Sequence, residues 1–299
     1  MSDKELETIT VRRKIFFKMA RDTSEYIRDI TPSEELGQKL RDRGADIFTF
    51  LERKWCHTIP NPPESWARTE DNIALFHVTT YEEWLKIVGK KTRNMIRKAE
   101  KKSGIKTDIV VPSDKLAEGI WKIFNETPIR QERGFPHYGT SLERIKKEMF
   151  SQSSCTYIGA YFQDELAGFI HLIHGDNISV ISQILSLQKH WDKAVNNALV
   201  AKAIEVCASI HLEWIMYGRM GNHPTLDNFK QSNGFAKFQL TRYFMPLTGK
   251  GRFAIRLRLN RELKDSLPPS MKNALFPLYN WVSRTRARVR LILKRRPTK

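Results

Sequence analysis

Between Tyr157 and Phe244 the spacing of apolar residues changes period several times, and those changes read as an ordered series of elements. TYIGAYFQDELAGFIHLIHGDNISVISQILSL has three short apolar runs broken at Asp164-Glu165 and at Gly175-Asp176-Asn177, the pattern of an antiparallel meander. From Asp192 to Ser209 the period lengthens to that of a helix, with Val195, Leu199, Val206 and Ile210 along one side. LEWIMYG then predicts a short apolar strand, DNFKQS a helical turn, FAKFQLTRYFM a strand and RFAIRLRL an edge strand.

Upstream, Ser33 or Glu34 opens a predicted helix through Leu40, and IFTFLERKW carries an apolar face before the proline-rich HTIPNPPES breaks any element. IALFHV, from Ile73, reads as a buried strand. Thr80 with Glu83 three residues on has the capping-box arrangement, and a helix is expected to run from there to about Lys102, where Gly104 ends it. Trp84, Val88, Met95 and Ala99 share one face of that helix and Lys86, Lys90, Arg93, Arg97 and Lys101 another. IKTDIVV is a strand, Ser113 or Asp114 caps a helix to about Phe124, and a further helix runs from Leu142 to about Phe150. No internal repeat is present.

Composition sharpens the picture in one respect, charge. The 299 residues carry a net +18, and two short segments account for nearly all of it. Residues 86–102 hold eight cations against Glu100 alone, and beyond Asp265 there are nine cations and no acid. Two local basic elements therefore need explaining, rather than a basic protein. Three cysteines, Cys56, Cys155 and Cys207, lie far apart without ligand spacing, which fits a reducing, cytoplasmic setting and neither a disulfide framework nor zinc. No stretch approaches the ~18 to 20 apolar residues of a membrane-spanning helix, so a soluble or peripheral protein is expected.

Three strings carry a family resemblance. LKIVGKKTRNMIRKAEKKSGIK, RQERGFPHYG and YGRMGNHPTLDNFKQSNGF are similar, respectively, to the basic Lys-Thr-Arg-Asn helix, the charged loop before the core helix, and the glycine-containing strand end with its Phe-Lys helix of GNAT-fold acyltransferases. The region from about Ile73 to Phe244 resembles the branch holding the FemABX peptidoglycan aminoacyltransferases and their BioF2-like relatives. That resemblance implies an α+β fold, a mostly antiparallel sheet flanked by helices. It also implies an activated donor, either acyl-CoA or aminoacyl-tRNA. Acetyl-CoA enzymes of this fold use a glycine-rich turn at the start of the long helix, where backbone N–H groups approach a pyrophosphate. The corresponding stretch here, Gln188 to Asn197, has no glycine, and Trp191 is bulky while Asp192 would repel phosphate. The departure leans away from acetyl-CoA and toward the aminoacyl-tRNA donors of the FemABX branch.

Acyl transfer needs an uncharged nucleophile, a donor for the tetrahedral oxyanion and a proton for the leaving group. Candidate catalytic residues are Tyr138, Ser186 and Tyr217, with backbone N–H groups of the strand Ile181 to Leu187 as oxyanion donors. Substrate contacts are expected from Lys91, Arg93, Arg97, Arg133, His137, Gln183, Arg219 and Lys230. The loop holding Arg133, His137 and Tyr138 reads equally as a surface loop whose rings pack locally, and the basic helix face as merely solvated. His171 and His174 fall on opposite faces of a strand and make a poor metal pair, so no metal is expected.

The organisation expected is a helical N-terminal extension and Pro-rich linker (1–70), a GNAT-like domain (71–262, with 71–140 a reduced first part and 141–262 the core), and a basic amphipathic C-terminal tail (263–299). Within the tail, residues 272–296 suit an anionic membrane surface or docking on the protein's own core. The expected function is transfer of an acyl or aminoacyl group to an amine or hydroxyl of a cell-envelope or glycan precursor, at the inner face of the membrane. Partners would be a phosphate-bearing donor or acceptor, tRNA among them. The competing readings are a CoA-dependent N-acetyltransferase of a small molecule and a non-catalytic RNA- or membrane-binding protein.

Overall fold

A computed structural model describes residues 6–53, 58, 59, 61–130, 133–221 and 223–260. In chain order they form β1 (Ile9–Arg13), β2 (Lys18–Asp22), α1 (Glu34–Asp42), β3 (Ile47–Glu52), β4 (Ala67–His77), α2 (Tyr81–Ile87), α3 (Lys90–Arg97) and β5 (Ile105–Val110). Then come α4 (Asp114–Asn125), the short β6 (Ile129–Arg130) and β7 (Arg133–Gly134), α5 (Leu142–Ser151), β8 (Cys155–Phe162), β9 (Glu165–His174) and β10 (Ile178–Ser186). The chain continues with α6 (Val195–Ser209), β11 (Trp214–Met216), α7 (Pro224–Ser232), β12 (Ala236–Pro246) and α8 (Gly249–Arg256). The expected tail, 263–299, lies outside the described residues.

The chain divides into two compact units. The first comprises Met1–His77, His174–Val180 and Leu212–Glu262. Its strands run β1-β2-β3-β12-β4-β11, followed by the first residues of β10. β12 is the spine: it pairs antiparallel with β4 from Ala236↔Leu75 to Phe244↔Ala67, and with β3 from Thr241↔Glu52 to Pro246↔Ile47. Its second half is buried on both faces. Tyr243 and Met245 meet Leu36 and Leu40 of α1, while Phe244 meets Phe17, Ile47 and Ala254 of α8. Alternation along the strand puts Arg242 on the Phe244 side, inside the protein. There its guanidinium grips the Glu25 carboxylate with both Nη atoms, at 2.8 and 2.9 Å, and donates from Nε to Asp71 at 3.1 Å. All three residues are buried.

The second unit comprises, among the described residues, Val78–Ile173 and Ile181–His211. β5 pairs antiparallel with β8, and β8 with β9, with a bulge between Ala160 and Tyr161. Leu116, Ile120 and Phe124 of α4 and Ile145 and Met149 of α5 close over Tyr157, Leu166 and Phe169. α6 packs against β5 and β8.

Four local expectations are corrected. Residues 1–70 are not a helical extension: they hold β1, β2 and β3 besides α1, and IFTFLE is a fully buried strand paired to β12. The basic helix is broken at Val88, whose backbone is extended, and restarts after the N-cap Gly89. Arg93 covers the exposed end of α2 by donating to the carbonyls of Leu85 and Val88. The long helix starts at Val195 instead of Asp192, because Ala194 takes a left-handed conformation (φ 56°) after a 3-10 turn over Gln188–Lys193. RFAIRLRL is not an edge strand: Thr248 caps Gly251 N–H and starts α8.

Removing one member of a buried ion cluster leaves the others uncompensated. Arg242→Leu is expected to lower unfolding free energy by about 3–5 kcal/mol in denaturant titrations, and adding Glu25→Leu to recover part of that loss.

Candidate active site

The glycine-containing strand end belongs to the first unit. β11 pairs with β4 from Trp214↔His77 to Met216↔Leu75, and the ladder is extended when Tyr217 N–H donates to Ala74 O at 2.8 Å and Ala74 N–H to Gly218 O at 2.7 Å. On its other side β11 runs parallel to β10 for three pairs, ending at Val180↔Met216. Gly218 has φ 57°, a left-handed turn that glycine adopts without strain, and it takes the chain away from the strand. Asn72 then catches Met220 N–H at 2.9 Å, and Asp227 in the first turn of α7 catches Gly221 N–H at 2.8 Å. Pro224 opens α7, where a missing N–H is harmless.

This folding gathers three predicted residues. Arg219 pairs with Asp71 at 2.6 Å, joining the cluster built on Arg242. Lys230, only 2% exposed, donates from Nζ to the Arg219 carbonyl at 2.6 Å and lies 4.8 Å from the centre of the Tyr217 ring. Burial lowers the Lys230 pKa against the opposing pull of Asp227. Burial pushes the Tyr217 phenol well above its usual range, so it stays protonated at physiological pH. Phe235 meets the same ring edge-on at 5.7 Å.

The remaining predicted residues lie in the second unit. Ser186 ends β10, is buried, and its carbonyl accepts from Arg130 Nη1 at 2.9 Å. Gln183 is half-buried on the same strand. The loop after β7 is tied down rather than open. His137 stacks on Phe124 with centroids 4.5 Å apart, Tyr138 N–H donates to Phe135 O, and Asn125 bonds both Gly139 N–H and Thr140 O. Burial holds the His137 pKa down, with Glu148 opposing. Arg133 lies in β7, paired with Arg130. Of the basic helix residues, Lys91 and Arg97 are exposed, while Arg93 is engaged with the end of α2. His171 stacks flat on Tyr157, His174 Nδ1 bonds Ser179 Oγ at 3.1 Å, and among the described residues no cluster of ligands suited to a metal occurs.

Two residues that sequence reasoning missed fix the turn that follows β10. Glu126, at the C-cap of α4, accepts from the Gln188 N–H with both oxygens, at 2.8 and 2.9 Å, and from Lys189 N–H at 3.5 Å. Arg130 bonds Glu126 at 3.1 Å and the Ile123 carbonyl at 2.7 Å. The protein's own carboxylate thus sits on the amides of the turn that follows β10. The i,i+4 spacing of Glu126 and Arg130 across Thr127-Pro128 gives no hint of a target sixty residues away.

No protein-family model matches the chain, and no curated protein matches it in sequence. Solved structures do. FemX superposes with a TM-score of 0.55 at 9% identity, over 78% of this chain and 83% of that one. L-PGS from Bacillus licheniformis gives 0.53 at 12% identity, over 85% and 86%. The C-terminal DUF2156 domain of a protein described as a lysylphosphatidylglycerol synthetase, from Agrobacterium fabrum, gives 0.51 at 13% identity, over 83% of each. At these identities the likeness is one of fold, and the chain shares the fold of the FemX and L-PGS structures.

Folding disfavours the Lys230 ammonium relative to the unfolded chain. Between its lowered folded pKa and the ordinary lysine value the unfolded state binds more protons, so stability rises with pH there. Wild type is expected to gain stability relative to Lys230→Met as pH climbs through that window, and to run parallel to it below; thermal unfolding of both across alkaline buffers measures this.

Proposed function

We propose that this protein is an acyltransferase that moves an aminoacyl group from aminoacyl-tRNA to an amine or hydroxyl of a cell-envelope or glycan precursor. The observation that carries the reading is the short parallel ladder ending at Val180↔Met216, beyond which the chain turns at Gly218 into the Tyr217–Lys230 site. The fold shared with FemX and L-PGS supports the same class of chemistry. The Agrobacterium fabrum domain, described as part of a lysylphosphatidylglycerol synthetase, favours a lipid-linked hydroxyl as the first acceptor to try.

In this reading the acceptor's nitrogen or oxygen forms a bond to the ester carbonyl carbon, and the bond from that carbon to the ribose oxygen breaks. The acceptor's proton ends on the ribose oxygen. A neutral Tyr217 phenol relays it, giving its own proton to the leaving oxygen and taking one from the acceptor. Lys230 is a positioning residue: buried beneath the tyrosine ring, it fixes the Arg219 carbonyl and hence the strand end. The strand Ile181 to Leu187 remains the candidate source of oxyanion donors other than the Leu187 N–H, which already donates to Ala167 O at 2.8 Å, and the Ser186 carbonyl there is held by Arg130. Lys91 and Arg97, exposed on α3, are the candidates to meet donor phosphates.

The Glu126 carboxylate on the amides of Gln188 and Lys189 supports a donor other than acyl-CoA, because a pyrophosphate there would meet a like charge. Two measurements test the proposal. Acetyl-CoA is expected to leave the melting temperature unchanged, whereas clear stabilisation would favour the CoA-dependent reading. Charged tRNA mixed with phosphatidylglycerol vesicles or a peptidoglycan precursor is expected to lose its aminoacyl group to the acceptor. Tyr217→Phe should slow that transfer by about 100-fold or more, and normal tRNA binding without transfer to any acceptor would count against the enzyme reading.

A further inference from the structure

An apolar tip rimmed by cations stands on the first unit, away from the Tyr217–Lys230 residues. The β1–β2 hairpin closes when Lys14 N–H donates to Phe17 O at 2.8 Å, and it leaves Ile15 72% and Phe16 38% exposed. On α8, Phe253 and Leu257 sit one turn apart and are 55% and 49% exposed. The two elements meet: the Phe16 and Phe253 rings have centroids 6.1 Å apart. Four large apolar side chains outside the core thus form one neighbourhood.

The tip is held from beneath. Phe17, the next residue along, is buried with Ile47, Phe244 and Ala254, and Ala254 follows Phe253. Asp46 fastens both elements, its carboxylate accepting from Lys18 N–H at 2.8 Å and from Thr248 Oγ1 at 2.7 Å. α8 lies so close that a Cβ on Gly251 would stand 1.9 Å from the Asp46 carbonyl oxygen.

Flanking the apolar residues in sequence, on the same hairpin and helix, are the exposed cations Arg13, Lys14, Lys18, Lys250, Arg252 and Arg256. No Asp or Glu occurs between Ile9 and Arg21, or between Leu247 and Asn260. We infer that this tip is a docking surface for an anionic lipid bilayer, with Ile15, Phe16, Phe253 and Leu257 entering the interface and the cations lying among phospholipid headgroups.

Charge and shape select that occupant. The residues beyond Asp265 carry nine cations and no acid, so the chain's own tail does not complement a basic rim. A protein partner of ordinary stability needs roughly 800 Å² from each side, more than four side chains offer. Nucleic acid would match the cations and the two phenylalanines but gains nothing from Ile15 and Leu257. A bilayer takes both features, apolar side chains in the acyl boundary and Lys or Arg at the headgroups. The inference does not rest on the transferase reading, since vesicle binding is read without any chemistry.

Flotation of the full-length protein with phosphatidylcholine vesicles, with and without phosphatidylglycerol, tests it. Binding is expected to need phosphatidylglycerol and to weaken with salt. The pair Ile15→Ser/Phe16→Ser and the pair Phe253→Ser/Leu257→Ser should each reduce partition by roughly tenfold or more. Lys14→Glu/Arg252→Glu should remove the preference for the anionic lipid. Because Phe16 also touches Phe17, thermal unfolding checks each variant, and Ile15→Ser/Leu257→Ser, both at well-exposed positions, replaces any that fails to fold. Partition unchanged in folded variants would overturn the inference and leave the C-terminal segment as the membrane contact. Loss of tRNA retention in gel shifts, with vesicle binding intact, would overturn it in favour of nucleic acid.

Discussion

Arg242 is the charge around which the first unit is arranged. It projects from the doubly covered strand β12, and burial works against its ionised form. Hydrogen bonds and attraction from Glu25, with Asp71 also contributing, outweigh that penalty and raise its pKa. Asp71 passes the interaction to Arg219, and the Arg219 carbonyl receives Lys230. A single buried guanidinium is therefore linked, through the Asp71 carboxylate and then the side chain and carbonyl of Arg219, to the ammonium under Tyr217. Buried charges persist only when paired, so this chain of partners determines where the strand end after Gly218 lies.

The order of strand, glycine turn and helix at that strand end was legible in the sequence because its signals are local. A short apolar strand, a glycine able to take positive φ, and a proline opening a helix stand within a dozen residues. The caps were legible for the same reason: Ser33, Thr80 and Ser113 each bond the N–H three residues on. The meander from Cys155 to Ser186 showed its strand period and its turns. β1 and β2 did not. Each is five residues long, with cations among its side chains, and the pattern that justifies them is supplied by β3, more than twenty residues later. The helical reading of IFTFLE failed because a strand buried on both faces has no alternation to detect.

The same division holds for polar residues. Arg93 looked like part of a basic face because its spacing fits one, but the break at Val88 exposes carbonyls that a guanidinium can satisfy, and Arg93 turns to them. Arg130 and Glu126 stand four apart in sequence. Their work is on a junction distant in sequence, one reading the carbonyl of Ser186 and the other the amides of Gln188 and Lys189. Such long-range hydrogen bonds leave no periodic trace.

Glu126 has a further consequence for any ligand bearing phosphate. Its carboxylate is bound covalently to the body that holds those amides, so it competes for them at an effective concentration in the millimolar range or above, as short tethers generally provide. A free anion at micromolar levels would have to displace a rival that never diffuses away. An anion arriving at that junction would meet a built-in counterpart already seated on the amides.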